Sequence, residues 1–175
     1  MSVFLQPIYT QKLAGASYVV TFNNIPQTFT DLMLKISTRT DYASTWDGGP
    51  SLYFNGDNAG TTYSETQIRG DGTSVISQRY TSNPITYIGV ANGATSTANT
   101  FTNGEIYISN YTSSNFKSFL IDLVAENNST TAYQTMDAGL WRSTSAITSI
   151  SFYGGSGNYV ANSTFSLYGV LRQGI

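Results

Sequence analysis

Histidine and cysteine are both missing from this chain of 175 residues. Without cysteine there is no disulfide, no thiolate metal site and no sulfur nucleophile. Without histidine the commonest general base and the commonest metal ligand are gone, and a Ser-His-Asp triad cannot be assembled. Charge is scarce too: Asp, Glu, Lys and Arg make up 10% of the residues, against about 25% in ordinary soluble domains. The net charge is -2 and the eight basic residues are scattered, so the clustered Lys and Arg that bind phosphate are absent. No run approaches the ~20 apolar residues of a spanning helix. The opening MSVFLQPIYTQKLAG has no basic n-region, its apolar residues are broken by Gln6 and Pro7, and it does not read as a signal peptide. Neither nucleic acid nor a membrane is expected as a partner.

Ser, Thr, Asn and Gly take the place of charge, and the apolar residues among them alternate. Tyr18, Val20 and Phe22 share one face of a run; Leu32, Leu34 and Ile36 share another. Leu52 and Phe54, Ile106 and Ile108, Ile150 and Phe152, and Phe165 and Leu167 repeat the period of two, which is that of a half-buried strand. Asp47-Gly48-Gly49-Pro50, Asn55-Gly56-Asp57, Gly70-Asp71-Gly72, Asn92-Gly93 and Asn103-Gly104 punctuate the runs. Asn-Gly and Asp-Gly supply the positive φ angles of tight strand connections. Many short strands at such spacing predict an all-β fold, an antiparallel two-sheet jelly roll or β-sandwich.

Within that frame, residues 1–14 read as an extended N-terminal arm and 15–175 as a single domain. Tyr63 to Ile68 could form one or two helical turns. Gly93 to Thr102 is low in complexity and reads as an exposed loop. The corner between Phe22 and Leu32 contains Ile25-Pro26, where Pro fixes φ and removes a donor at a strand exit. Lys117 to Glu126 departs from simple alternation: Phe119, Ile121, Leu123 and Ala125 line one face, and Leu120 and Val124 the other. A strand apolar on both faces is expected to be covered on both, by a loop or by another subunit.

Candidate chemistry is thin. A histidine-free enzyme would most simply be a carboxylate glycosidase, needing two acids about a sugar. Asp41, Asp47, Asp57 and Asp71 fall in loops, where Asp beside Gly shapes a turn. Asn55 to Gly60 resembles part of a calcium loop without the ligand spacing or closing Glu of an EF-hand, so a Gly-rich turn is the plainer reading and no metal is expected. Asn110, Asn127, Asn128 and Asn162 begin glycosylation sequons, which a chain rich in Asn, Ser and Thr produces by chance. Thirteen tyrosines and two tryptophans could stack on sugars, with Tyr42, Trp46 and Tyr53 grouped about one loop. Aromatics are also ordinary strand and interface residues. No catalytic residue and no cofactor are assigned.

One ordered series carries a family likeness. Phe22-x-x-Ile25-Pro26-x-Thr28-Phe29-Thr30-Asp31-Leu32-x-Leu34 is followed by Arg39 and by Phe54-Asn55-Gly56-Asp57. Trp141, Ile147-Thr148-Ser149-Ile150 and Asn162-Ser163-Thr164-Phe165-Ser166-Leu167-Tyr168-Gly169-Val170 follow later. From about Ser17 to Val170 this resembles a β-rich domain of tailed-bacteriophage virion proteins, cyanophages included. The resemblance implies a virion component without catalytic residues: a capsid decoration (cement) protein on the capsid surface, or a tail-fibre or receptor-binding tip. The first would be a homo-oligomer, expected as a trimer, bound to the major capsid protein. Phe4, Leu5, Ile8 and Tyr9 of the arm, with Leu120 and Val124, would make subunit or capsid contacts. The second would read host glycans through Tyr42, Trp46 and Tyr53.

Overall fold

A computed structural model describes residues 3–58 and 60–172. Fourteen strands run in chain order: β1 (Val3–Lys12), β2 (Val19–Phe22), β3 (Asp31–Thr38), β4 (Trp46–Asp47), β5 (Ser51–Phe54), β6 (Tyr63–Gly70) and β7 (Val75–Asn83). β8 (Thr86–Tyr87), β9 (Ala91–Asn92), β10 (Thr102–Ile108), β11 (Lys117–Ala125), β12 (Tyr133–Trp141), β13 (Ile150–Tyr153) and β14 (Thr164–Arg172) complete them. No helix occurs among the described residues. An eight-stranded sheet, ordered β1-β14-β3-β10-β11-β12-β6-β7, faces a four-stranded sheet, β2-β13-β5-β8, and β4 pairs with β9 alongside. All these strand pairs are antiparallel. This is the predicted β-sandwich.

The period-two faces meet in the middle. Leu32, Leu34, Ile36, Ile106, Ile108, Phe119, Ile121, Phe165 and Leu167 of the large sheet are buried against Val20, Phe22, Leu52, Phe54, Ile150 and Phe152 of the small one. Aromatic rings bridge the layers: Phe152 lies 5.2 Å from Phe165, and Phe54 lies 5.5 Å edge-on to Phe119 and 5.5 Å from Trp141. Burying each such ring contributes about 2–3 kcal/mol. Asp57 holds one end of this cluster, accepting from Trp141 Nε1 at 2.7 Å and Thr62 Oγ1 at 2.8 Å. Asp57→Ala would strand the indole N–H, and should lower stability by about 1–3 kcal/mol, read as an earlier urea midpoint with an unchanged slope.

Two sequence expectations are corrected. Tyr63 to Ile68 is not helical but the first six residues of β6, paired with β12 and β7. Its inward side chains are Tyr63, Glu65 and Gln67, so polar residues occupy the phase that apolar ones fill elsewhere. Gly93 to Phe101 is a largely exposed loop, as expected, and it wraps the Arg39 guanidinium, which donates to the carbonyls of Ala94, Ser96, Thr97 and Thr100. The arm is part of the sheet over its described residues: β1 pairs with β14 from Val3 to Lys12, with a register shift between Pro7 and Tyr9. Met1 and Ser2 lie outside the described residues.

The corner at Ile25-Pro26 is a corner. Ile25 and Phe29 are buried, Gln27 Nε2 donates to the carbonyls of Ile25 and Ile147, and the Tyr111 hydroxyl donates to Pro26. Phe29 lies over Gly169, where a Cβ would come 2.3 Å from the ring.

Candidate functional site

The loop acids are turn-formers. Asp41 accepts from Asn158 N and Nδ2, which holds its carboxyl below the usual range. Asp71 accepts from Thr73 N and Ser74 N, with the same consequence. Asp47, fully buried, receives the N–H groups of Gly49, Ser156 and Gly157, clamping two glycine loops together. Gly155, at φ +80°, abuts Gly49 so closely that a Cβ there would lie 2.2 Å from the Gly49 carbonyl carbon. In the Asn55 to Gly60 stretch, Asn55 and Gly56 take φ 53° and 72°, and Asp57 N bonds Phe54 O, the geometry of a tight turn. No group of three or more acids that could hold a metal occurs among the described residues.

The acids that stand out were not on the sequence's list. Glu65 of β6 and Asp137 of β12 are 2% and 3% exposed. In the register, Glu65 opposes Gly139 and Asp137 opposes Gln67, which makes the two carboxyls diagonal neighbours on the inner face. Glu65 Oε2 accepts from Thr86 Oγ1 and, at 3.0 Å, from Tyr87 N. Glu65 Oε1 and both Asp137 oxygens lack a close hydrogen bond among the described residues, although Gln67 and the Arg69 charge favour the Asp137 carboxylate. Burial pushes both carboxyls up to about 7, and for Glu65 the neighbouring Asp137 charge adds to it. The signal was phase: Asp137 lies in step with Thr135 and Trp141, which are buried. Buried as they are, what these two carboxyls can exchange is a proton.

Two surfaces remain open. On the outer face of the large sheet the register sets Ile68 beside Met136, and Leu120 between Tyr107 and Ala138. Leu120, Met136, Ile68 and Val124 are 62%, 55%, 53% and 42% exposed. A cleft of about 470 Å³ opens among Ile68, Leu120 and Met136, with Glu105 and Asp122 also in its lining. The expected cover over Leu120 and Val124 is therefore not supplied by the described residues. Of the arm residues, Phe4 and Leu5 are exposed. Ile8 packs on the core, and Tyr9 stacks on Phe22 at 5.5 Å and donates to Asn23 O.

The second surface runs from the small sheet to the β6–β7 edge of the large one. One cleft, of about 420 Å³, is lined by Tyr18, Tyr87 and Tyr153; its neighbour, of about 330 Å³, by Tyr80, Tyr87, Gln67 and Arg69. Gly49 and Tyr87 belong to both. Tyr42, Trp46 and Tyr53 do not gather as a platform. Tyr53 is buried with its hydroxyl 2.7 Å from that of Tyr153. Trp46 packs edge-on to Tyr133, and the Arg69 guanidinium lies over both rings. Tyr42 is exposed elsewhere, lining neither cleft.

No family model, curated protein or solved structure matches this chain.

Proposed function

We propose that the chain is a non-catalytic structural protein of a tailed-bacteriophage virion, a decoration protein that caps the head shell as a homotrimer bound to the major capsid protein. The ordered series from Phe22 to Val170 supports the virion assignment through its family likeness. The observation that carries an assembly role is the outer face of the large sheet, where Ile68, Leu120, Val124 and Met136 stand in neighbouring strands largely exposed. Asp122 stands between Leu120 and Val124 on this face, opposite Met136, so the patch is broken by one carboxylate; exposed apolar clusters rimmed by polar residues mark protein contacts. Covering these four half-exposed side chains would contribute on the order of 3–6 kcal/mol before the costs of association. The same face carries charge: Asp122 lies beside Glu105 in the register, and Glu105 forms an exposed ion pair with Lys35 at 2.6 Å.

The double variant Leu120→Asp, Met136→Asp tests this, because both side chains point outward and the core is untouched. The intact protein is expected to sediment as a trimer and to co-sediment with undecorated capsids. The variant is expected to run as a monomer and to lose at least tenfold in capsid binding. A strictly monomeric parent, or a variant that binds capsids as well as the parent, would overturn the reading.

A further inference from the structure

We infer that the two joined clefts, which run from the small sheet to β6 and β7 at the edge of the large one, form one groove that binds a neutral oligosaccharide. They are contiguous through Gly49 and Tyr87, and together they are the size of an ordinary small-molecule site. Four tyrosines from separate parts of the chain, Tyr18, Tyr80, Tyr87 and Tyr153, line them. Ring faces of this kind cover the apolar C–H faces of pyranoses, while the hydroxyl rims stay wet. Between the rings stand Ser51, Asn58 and Gln67, the hydroxyl and amide groups that match sugar hydroxyls as donors and acceptors.

The lining fixes the ligand's charge. It contains no carboxylate, and its one cation is Arg69. That guanidinium is already occupied on its faces by Trp46 and Tyr133, at 5.8 and 5.2 Å. A phosphate or a polyanion would need more positive charge than this. The Arg69 Nε, buried and donating to nothing among the described residues, is a donor that one sugar hydroxyl would satisfy.

The groove is also held in shape. Glu65 accepts the Tyr87 N–H from beneath and fixes β8. Tyr53 ties down the Tyr153 hydroxyl, and Tyr18 sits edge-on to Tyr153 at 5.5 Å. Asp47 fixes the glycine loops of the wall. These braces limit the ordering that a ligand would otherwise have to impose. The groove lies where β8 of the small sheet meets the inner side of β6 and β7. It shares no lining residue with the cleft on the apolar outer face, so the inference stands whether or not that face is an assembly contact.

Calorimetric titration with three neutral hexasaccharides, cellohexaose, maltohexaose and chitohexaose, tests it on the isolated protein. At least one is expected to bind with a Kd of about 1 mM or tighter. Tyr87→Ala and Tyr18→Ala are each expected to weaken it tenfold or more, and Tyr42→Ala, outside the groove, to leave it unchanged. Tyr18 is 49% exposed, so its removal keeps the test valid if Tyr87→Ala does not fold. Silence from all three sugars at about 10 mM, or undiminished affinity in folded Tyr18→Ala, overturns the inference.

Discussion

Urea should unfold the protein more readily at pH 7.5 than at pH 4.5. Glu65 and Asp137 have folded-state values raised from 4.5 and 3.8 to about 7. In the unfolded chain both ionise near pH 4; in the folded chain both hold a proton until about pH 7. The folded state therefore binds more protons through this window, and stability falls as pH climbs from about 4 to about 7. At roughly 1.4 kcal/mol for each tenfold change, the loss is on the order of 3–4 kcal/mol for each group. Asp41 and Asp71, whose values are lowered, act oppositely, but below about pH 4, where they begin to take up protons. The double variant Glu65→Gln, Asp137→Asn removes the titration and keeps the shapes. Its urea midpoint is expected to be flat from pH 4.5 to 7.5 and to exceed the parent's at pH 7.5. A parent midpoint that rises over the same range would mean that both carboxylates are ionised and paired in the fold.

Gly139→Ala should be nearly as damaging. Gly139 opposes Phe119 across β11 and β12, and a Cβ built on it would lie 2.0 Å from Phe119 Cε2 and 2.2 Å from Cζ. The ring cannot simply swing aside, because Phe54 lies edge-on to it at 5.5 Å and the site is buried. Overpacking of this severity costs about 3 kcal/mol, a fall of roughly 10 °C in Tm for a chain of this size. Phe119→Ala alone should cost about 3–5 kcal/mol through the cavity it leaves. The double variant is expected to be little worse than Phe119→Ala, because the alanine Cβ then enters space the ring has vacated. Additive losses would show that the two positions are not in contact.

Alternation made some strands readable and hid others. β3, β11 and β14 could be traced because Leu32-x-Leu34-x-Ile36, Phe119-x-Ile121-x-Leu123 and Phe165-x-Leu167 each put apolar residues on one face. β6 could not, since its inner face runs Tyr63, Glu65, Gln67 and carries no hydrophobic period. The buried acids sit in that unreadable strand and its partner, which is why loop aspartates drew attention instead. The two-faced character of β11 was legible; that its outer residues stay bare was not, because cover is a property of tertiary packing. The tyrosine groove was equally hidden. Tyr18, Tyr80, Tyr87 and Tyr153 share no local motif, and only the pairing of β13 with β5 and β5 with β8 carries Tyr87 and Tyr153 to one wall.

The place of β14 has a consequence for how the molecule comes into being. β14 lies between β1 and β3, pairing with both. A ribosome delivers β1 and β3 well before residues 164–172, so two strands must wait for a third that is made long after them. Until it arrives β1 has no partner in the sheet, and Leu34 and Ile36 of β3 lack the Leu167 and Phe165 that oppose them. Closing contacts of such long range is slow, because the chain between them must be ordered before they form. The nascent chain therefore carries an unsealed seam until residues 164–172 emerge, exposed to chaperones and to neighbouring chains alike. Insertion of a single late strand closes it.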